Sequence, residues 1–337
     1  MFKMSRRLLL AAAATGCISF AAPAVAQEVR LDMQEYFGPT NLSGTASSDF
    51  AKLVSEKTNG QVQINVHFNG SLGLGEADIL KTVEQGVVPL STSMLDKMLG
   101  TIPVAAIQSV PFMATSLDES RALFESFEPY VREQLESQNQ MLLFEVISLP
   151  DGLWSKKPVP DVDALKTLKT RTNSPIATRT LSNVGASPVP MAWGDVAPAL
   201  VTGVIDSVIT TDDNGLQSHL YEQMSDFTRL NMSTAFWIVH MNKDAYNSLS
   251  PDEQKAVLEA AEQARSDAYD RAKVRLKENS AEMISKGIAV AEEISMPFRQ
   301  ALIEAAAPLR DEWSQKVGAD VSSAVLSSYE EAKKGSN

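Results

Sequence analysis

The chain has 337 residues, 44% of them apolar and 21% charged, with a formal net charge of −12. That length accommodates two domains of ordinary size, and the composition is that of a globular chain. The acidic balance argues against a nucleic-acid binder, which needs surplus Lys and Arg to meet phosphates, and the single cysteine, Cys17, leaves no partner for an intramolecular disulfide.

The N-terminus reads as an export signal. Lys3, Arg6 and Arg7 precede an apolar run that ends in Ala24-Val25-Ala26, an A-x-A cleavage pattern that would leave Gln27 first. "SRRLLL" is a partial twin-arginine match and "ATGC" a weak lipidation pattern at Cys17, so the export route stays open. Removal of residues 1–26 takes away three positive charges and the only thiol. His67, His219 and His240 are widely spaced, which argues against a histidine metal site.

Downstream, "VRLDM" predicts a strand and "EYFGPTNLSGTASS" a loop. "DFAKLVSEKTNG" predicts an amphipathic helix stopped by Asn59-Gly60, and the alternation of "QVQINVHF" a half-exposed strand. A Gly-rich loop and a helix to Gly86 follow, then the strand "VVPLSTSML". "SLDESRALFESF" opens a helix with a capping-box pattern, Ser116 and Glu119, and "MLLFEVISL" is a strand. The Pro- and Lys-bearing stretch from Pro150 to Lys169 reads as a crossover. A second series begins near Lys169: the strand "KTRTNS", the helix "PIATRTLSNVG", the extended "SPVPM", the helix "GDVAPALVTG" and the strand "VIDSVIT". "MSTAFWIVHMN" predicts a strand returning to the first unit, and from Pro251 the chain is mostly helix, capped by Ser250 with Glu253. The alternation predicts an α/β protein of two lobes with a ligand cleft between them. The expected divisions are a signal over 1–26, lobe 1 over 27–150 and lobe 2 over 151–235. Residues 236–337 hold the return strand, a long helix and C-terminal helices.

No GxSxG, HExxH, P-loop or CxxC motif follows the signal, and no cofactor fingerprint is present. Asp212-Asp213 reads better as a solvated loop than as an acid–base pair. Arg171 ends a strand-like segment just before a helix start, the place where a guanidinium would face a cleft and grip a carboxylate with two prongs. The plainer alternative is a surface arginine paired with a nearby acid.

"LKTLKTR", "GASPVPM" and "WGDVAPALVTGVID" together resemble the signature of the DctP-type solute-binding proteins of TRAP transporters. The resemblance covers nearly all of the chain beyond the signal, including "FAKLVSEKTNGQVQINVHFNGSLG", "SVPFM" and "VHMNKDAYNSLSPDEQKAV". It implies a monomeric periplasmic clamshell of two α/β lobes braced by a long helix. It also implies a small organic acid as ligand, delivered to small and large integral membrane subunits for ion-gradient-driven uptake, with no cofactor. The family's carboxylate-gripping arginine falls on Arg171, and an aromatic that packs on the ligand falls on Trp193, whose alternative role is core packing. Softer candidates are Tyr36, Phe37 and Asn41, Met94 and Lys97, and Thr210, Thr211 and Asn214, each in a loop after a strand. Members that bind sialic acid carry Asn where Thr210 stands and a second Arg near the crossover, where this chain has Asp151 and Trp154. Trp154 would then supply an apolar wall or, equally, pack in the linker. The expected ligand is a monocarboxylate with an apolar or aromatic body. A receptor of the ABC-importer type and an exported α/β enzyme are the alternatives.

Overall fold

The computed structural model describes residues 28–335. The expected export signal, its cleavage site and Cys17 lie outside the described residues.

In the first half, strands and helices alternate: β1 (Val29–Gln34), α1 (Leu42–Lys57), β2 (Val62–His67), α2 (Ile79–Glu84), β3 (Leu90–Met94), α3 (Leu117–Glu136) and β4 (Gln140–Ile147). The second series is β5 (Gly152–Ser155), α4 (Val162–Lys166), β6 (Lys169–Thr172), α5 (Pro175–Asn183), β7 (Ser187–Pro190), α6 (Val196–Val201), β8 (Ser207–Thr210), α7 (Asp212–Gln217) and β9 (Asp226–Thr228). The chain ends with β10 (Phe236–Asn242), α8 (Lys243–Asn247), α9 (Pro251–Ser285), β11 (Ala289–Ala291), α10 (Met296–Val317) and α11 (Ala319–Gly335).

The strands form two mixed sheets, ordered β2-β1-β3-β10-β4 and β11-β9-β5-β8-β6-β7. In the first, β10 returns antiparallel between β3 and β4. In the second, β6 lies parallel between β7 and β8, and β5 is antiparallel to both β8 and β9. Each sheet has its own core. Phe50, Phe124, Phe127, Phe144 and Phe236 fill the first lobe, and Trp154 packs on Phe227 in the second, with ring centroids 5.1 Å apart.

Three local readings of the sequence are corrected. Helix α1 starts at Leu42, inside the stretch read as loop: Asn41 caps it by accepting from the Ser43 amide at 3.0 Å. Its small first-turn residues are buried, and the Ser43 and Ser47 hydroxyls donate to the buried Glu35 carboxylate at 3.0 and 2.6 Å. The stretch read as a crossover contains β5, fully buried in the middle of the second sheet. Asp212 and Asp213 do not form a solvated loop. They open α7, buried, where Asp212 pairs with Arg229 at 3.0 Å and Asp213 with Arg275 at 2.9 Å.

The position of β5 fixes the fate of Trp154. A Cβ on Gly215 of α7 would stand 2.2 Å from the Trp154 ring, so only glycine lets the helix lie on the indole. Gly215→Val is expected to destabilise the protein by about 3 kcal/mol through overpacking, measured by urea unfolding. A loss under about 1 kcal/mol would mean that the helix can lift away without cost.

The segments that cross between the sheets after β4 and after β9 are Ser148–Asp151 and 229–235. They are tied together: the Ser148 amide donates to Ala235 O and the Asp151 amide to Ser233 O, both at 2.9 Å, and Asn231 N donates to Asp151 O at 3.0 Å. Helix α9 has 35 residues, about 50 Å of length at helical rise, and begins with a complete Ser250–Glu253 capping box. A buried alanine stripe (Ala256, Ala260, Ala264, Ala268, Ala272) lets it lie close to α1 and β4 of the first lobe, and it also touches α7 and β11 of the second.

Candidate functional site

A cavity of about 1010 Å³ lies between the lobes. All but one of the residues singled out from sequence line it: Tyr36, Phe37, Asn41, Met94 and Lys97 from the first lobe, Arg171, Trp193, Thr210, Thr211 and Asn214 from the second. Trp154 is the exception. It is 0% exposed, and its Nε1 donates to Thr211 O at 3.2 Å. The indole therefore supports the wall from behind and offers no face to a ligand.

Arg171 sits on β6 with Val189 of β7 and Val208 of β8 as its register neighbours. Its Nε and Nη2 donate to Met191 O at 3.2 and 3.1 Å, and Nη1 donates to Ile209 O at 3.2 Å. Backbone carbonyls near the ends of both adjoining strands thus lock the guanidinium in one orientation. A guanidinium has five N–H groups, so one on each Nη is left without a protein partner, the pair suited to a bidentate carboxylate. Burial lowers the Arg171 pKa to about 10, opposed by the charges of Asp151 and Asp96; the side chain stays cationic at neutral pH. No carboxylate comes within 4.0 Å of it among the described residues, so the paired surface arginine is not what the fold contains. The Trp193 ring stacks on the guanidinium at 5.2 Å from a short 3-10 turn and keeps 37% of its surface open.

Thr210, Thr211 and Asn214 act as one unit. Thr211 caps α7 by accepting from the Asn214 amide at 3.1 Å, and the Asn214 side chain reaches Thr210 Oγ1 at 3.5 Å. Asn214 Oδ1 accepts from Asn41 Nδ2 at 3.1 Å, a hydrogen bond that spans the cleft from one lobe to the other. On the first lobe, Glu35 accepts from the Phe37 amide at 2.9 Å and fixes the loop that carries both aromatics. Phe37 packs on Trp237, centroids 5.1 Å apart, and Tyr36 donates to Leu74 O at 3.2 Å.

Sequence reasoning missed Glu76, Asp96, Asp151 and Trp237 as cavity residues. Asp151 carried a signal, since it stands near where sialic-acid-binding members have a second Arg; Glu76, Asp96 and Trp237 carried none, because only the fold brings them to the cavity, as where the β10–β3 register sets Trp237 opposite Met94. Burial raises the pKa of all three acids, that of Asp151 to about 6. Lys97 lies 3.7 Å from Asp96 and so is partly neutralised.

Comparison with known proteins places this geometry. A family model described as bacterial extracellular solute-binding protein, family 7 (DctP), matches residues 33–316. A solute-binding protein of Sulfitobacter sp. (strain NAS-14.1) is 29% identical over 321 residues, 92% of this chain and 94% of the relative. Two solved structures, DctP7 and DctP6 of Bordetella pertussis, are extracytoplasmic solute receptors binding pyroglutamic acid. Both are 26% identical, with TM-scores of 0.83 and 0.84; the match covers 90% of this chain and 99% and 100% of theirs. Such proteins are two-lobed periplasmic receptors that bind small molecules and work with membrane subunits. No described helix here is long and apolar enough to cross a membrane. The chain belongs to the DctP family of bacterial extracellular solute-binding proteins, the periplasmic solute receptors of TRAP transporters.

Proposed function

We propose that this protein is exported with cleavage after Ala26, captures a small monocarboxylate on Arg171 and hands it to TRAP membrane subunits. The observation that carries the reading is the locked, buried guanidinium with an uncommitted N–H on each Nη at the cavity wall. The flat apolar surface expected of the ligand site is supported by Phe37, Trp193 and Trp237, in place of Trp154. Preference for one carboxylate over two is supported by Glu76, Asp96 and Asp151: a second buried anion would face like charges and cost several kcal/mol. The binding of relatives to pyroglutamic acid, a ring monocarboxylate, agrees with this class. Competitive titration tests it: an apolar monocarboxylate should bind at least about tenfold tighter than succinate. Tighter binding of succinate than of every monocarboxylate tried would overturn the proposal.

Closure should accompany binding, because excluding water strengthens the Arg171–carboxylate pair. The pivot is assigned to the paired crossing segments Ser148–Asp151 and 229–235. Small-angle scattering at saturating ligand is expected to give a smaller radius of gyration than without ligand. An unchanged radius would point to a rigid, pre-closed site.

A further inference from the structure

The charges lining the cavity do not balance. Arg179 is taken up by a two-pronged pair with Glu312, at 2.5 and 2.7 Å. That leaves Arg171 and Lys97 against Glu76, Asp96 and Asp151, one negative charge in excess before any ligand enters. Asp151 is buried, its carboxylate accepts from Ser233 Oγ at 2.8 Å, and it has no ion-pair partner within 4.0 Å among the described residues. With a pKa of about 6 it is mostly ionised at neutral pH. A simple carboxylate would double the excess, whereas a ligand with its own positive charge would leave it unchanged. The aromatic rings give a second, independent sign. Tyr36, Phe37 and Trp237 line the first-lobe side, and ring faces attract onium groups as well as apolar ones.

Resting on the carboxylate reading above, we propose that the ligand is a zwitterion. Its carboxylate sits on Arg171, and its positively charged nitrogen sits toward Asp151 and Asp96, beside Phe37 and Trp237. The anionic end is then held mainly by the second lobe. The cationic end is held by the first lobe and the crossing segment, so a single small molecule spans the cleft. The ligand class is an amino, imino or quaternary-ammonium acid.

The test uses pairs of closely similar shape in which a carbon group replaces the charged nitrogen: L-proline with cyclopentanecarboxylate, glycine betaine with 3,3-dimethylbutyrate, and L-phenylalanine with 2-methyl-3-phenylpropionate. L-Pyroglutamate serves as the ring whose nitrogen is neutral. Each is titrated calorimetrically into the purified protein at pH 7.5. In the tightest-binding pair the zwitterion should bind at least about tenfold more tightly than its uncharged-body partner. Asp151→Asn keeps the hydrogen bond with Ser233 and should bring the pair within about threefold, as should Asp96→Asn if the first variant folds poorly. Equal or tighter Arg171-dependent binding of the simple carboxylate or of pyroglutamate would overturn the zwitterion and leave the carboxylate reading standing. Binding that survives Arg171→Ala would remove both. A panel in which no zwitterion binds also overturns the proposal.

Discussion

With Arg171 replaced by alanine, affinity for the ligand is expected to fall at least about a hundredfold, because two charge-assisted hydrogen bonds worth about 1.5–3 kcal/mol each are lost. Lysine should recover only part of this and stay at least about tenfold weaker than arginine. An ammonium is a point charge and cannot reproduce a planar fork held between Met191 O and Ile209 O. The fold should survive both changes, since the side chain donates only to backbone carbonyls at the cavity wall. Calorimetry on the two variants, with circular dichroism as the control for folding, decides the matter. Unchanged affinity in Arg171→Ala would sink the carboxylate assignment.

The largest loss of stability from removing a charge is expected at Asp212. Its carboxylate is fully buried, 3.0 Å from Arg229 Nη1, and also accepts from Asn279 Nδ2 at 3.1 Å. Burial pushes its pKa up, and Arg229 and Asn279 oppose that. Asp212→Ala leaves the buried Arg229, among the described residues, with only the half-exposed Glu292 as counter-ion and should cost about 3 kcal/mol or more. Replacing both partners with apolar residues, Asp212→Leu with Arg229→Met, should recover much of that loss. A double variant no more stable than the single one would show that the pair contributes more than the relief of an uncompensated charge.

The contrast between Arg171 and Trp154 shows what the sequence made legible. The place of Arg171 at the cleft could be read because its evidence is local, a short strand followed by a helix start, while its expected carboxylate role came from the resemblance. Trp154 could not. Its burial depends on Phe227 and on the missing side chain of Gly215, both far along the chain, and its strand is hidden between Asp151 and two lysines that look like a linker. Asp212 and Asp213 were misread for the same reason, because their counter-ions Arg229 and Arg275 lie on later elements. The acids of the cavity fall in this class too: burial and convergence, set by sheet topology, make Asp96 and Asp151 neighbours of Arg171.

The bond between Asn41 and Asn214 bears on how the unliganded receptor is poised. Asn41 uses its two ends separately: Oδ1 caps α1 within its own lobe, and Nδ2 reaches across to the other. When the lobes part, the cap stays intact and only the cross-cleft donor passes to water. Such an exchange between neutral amides is worth about 1 kcal/mol, roughly a fivefold population ratio. A latch of that strength is too weak to hold the lobes together by itself, so most of the bias toward the shut form is expected to come from the bound molecule.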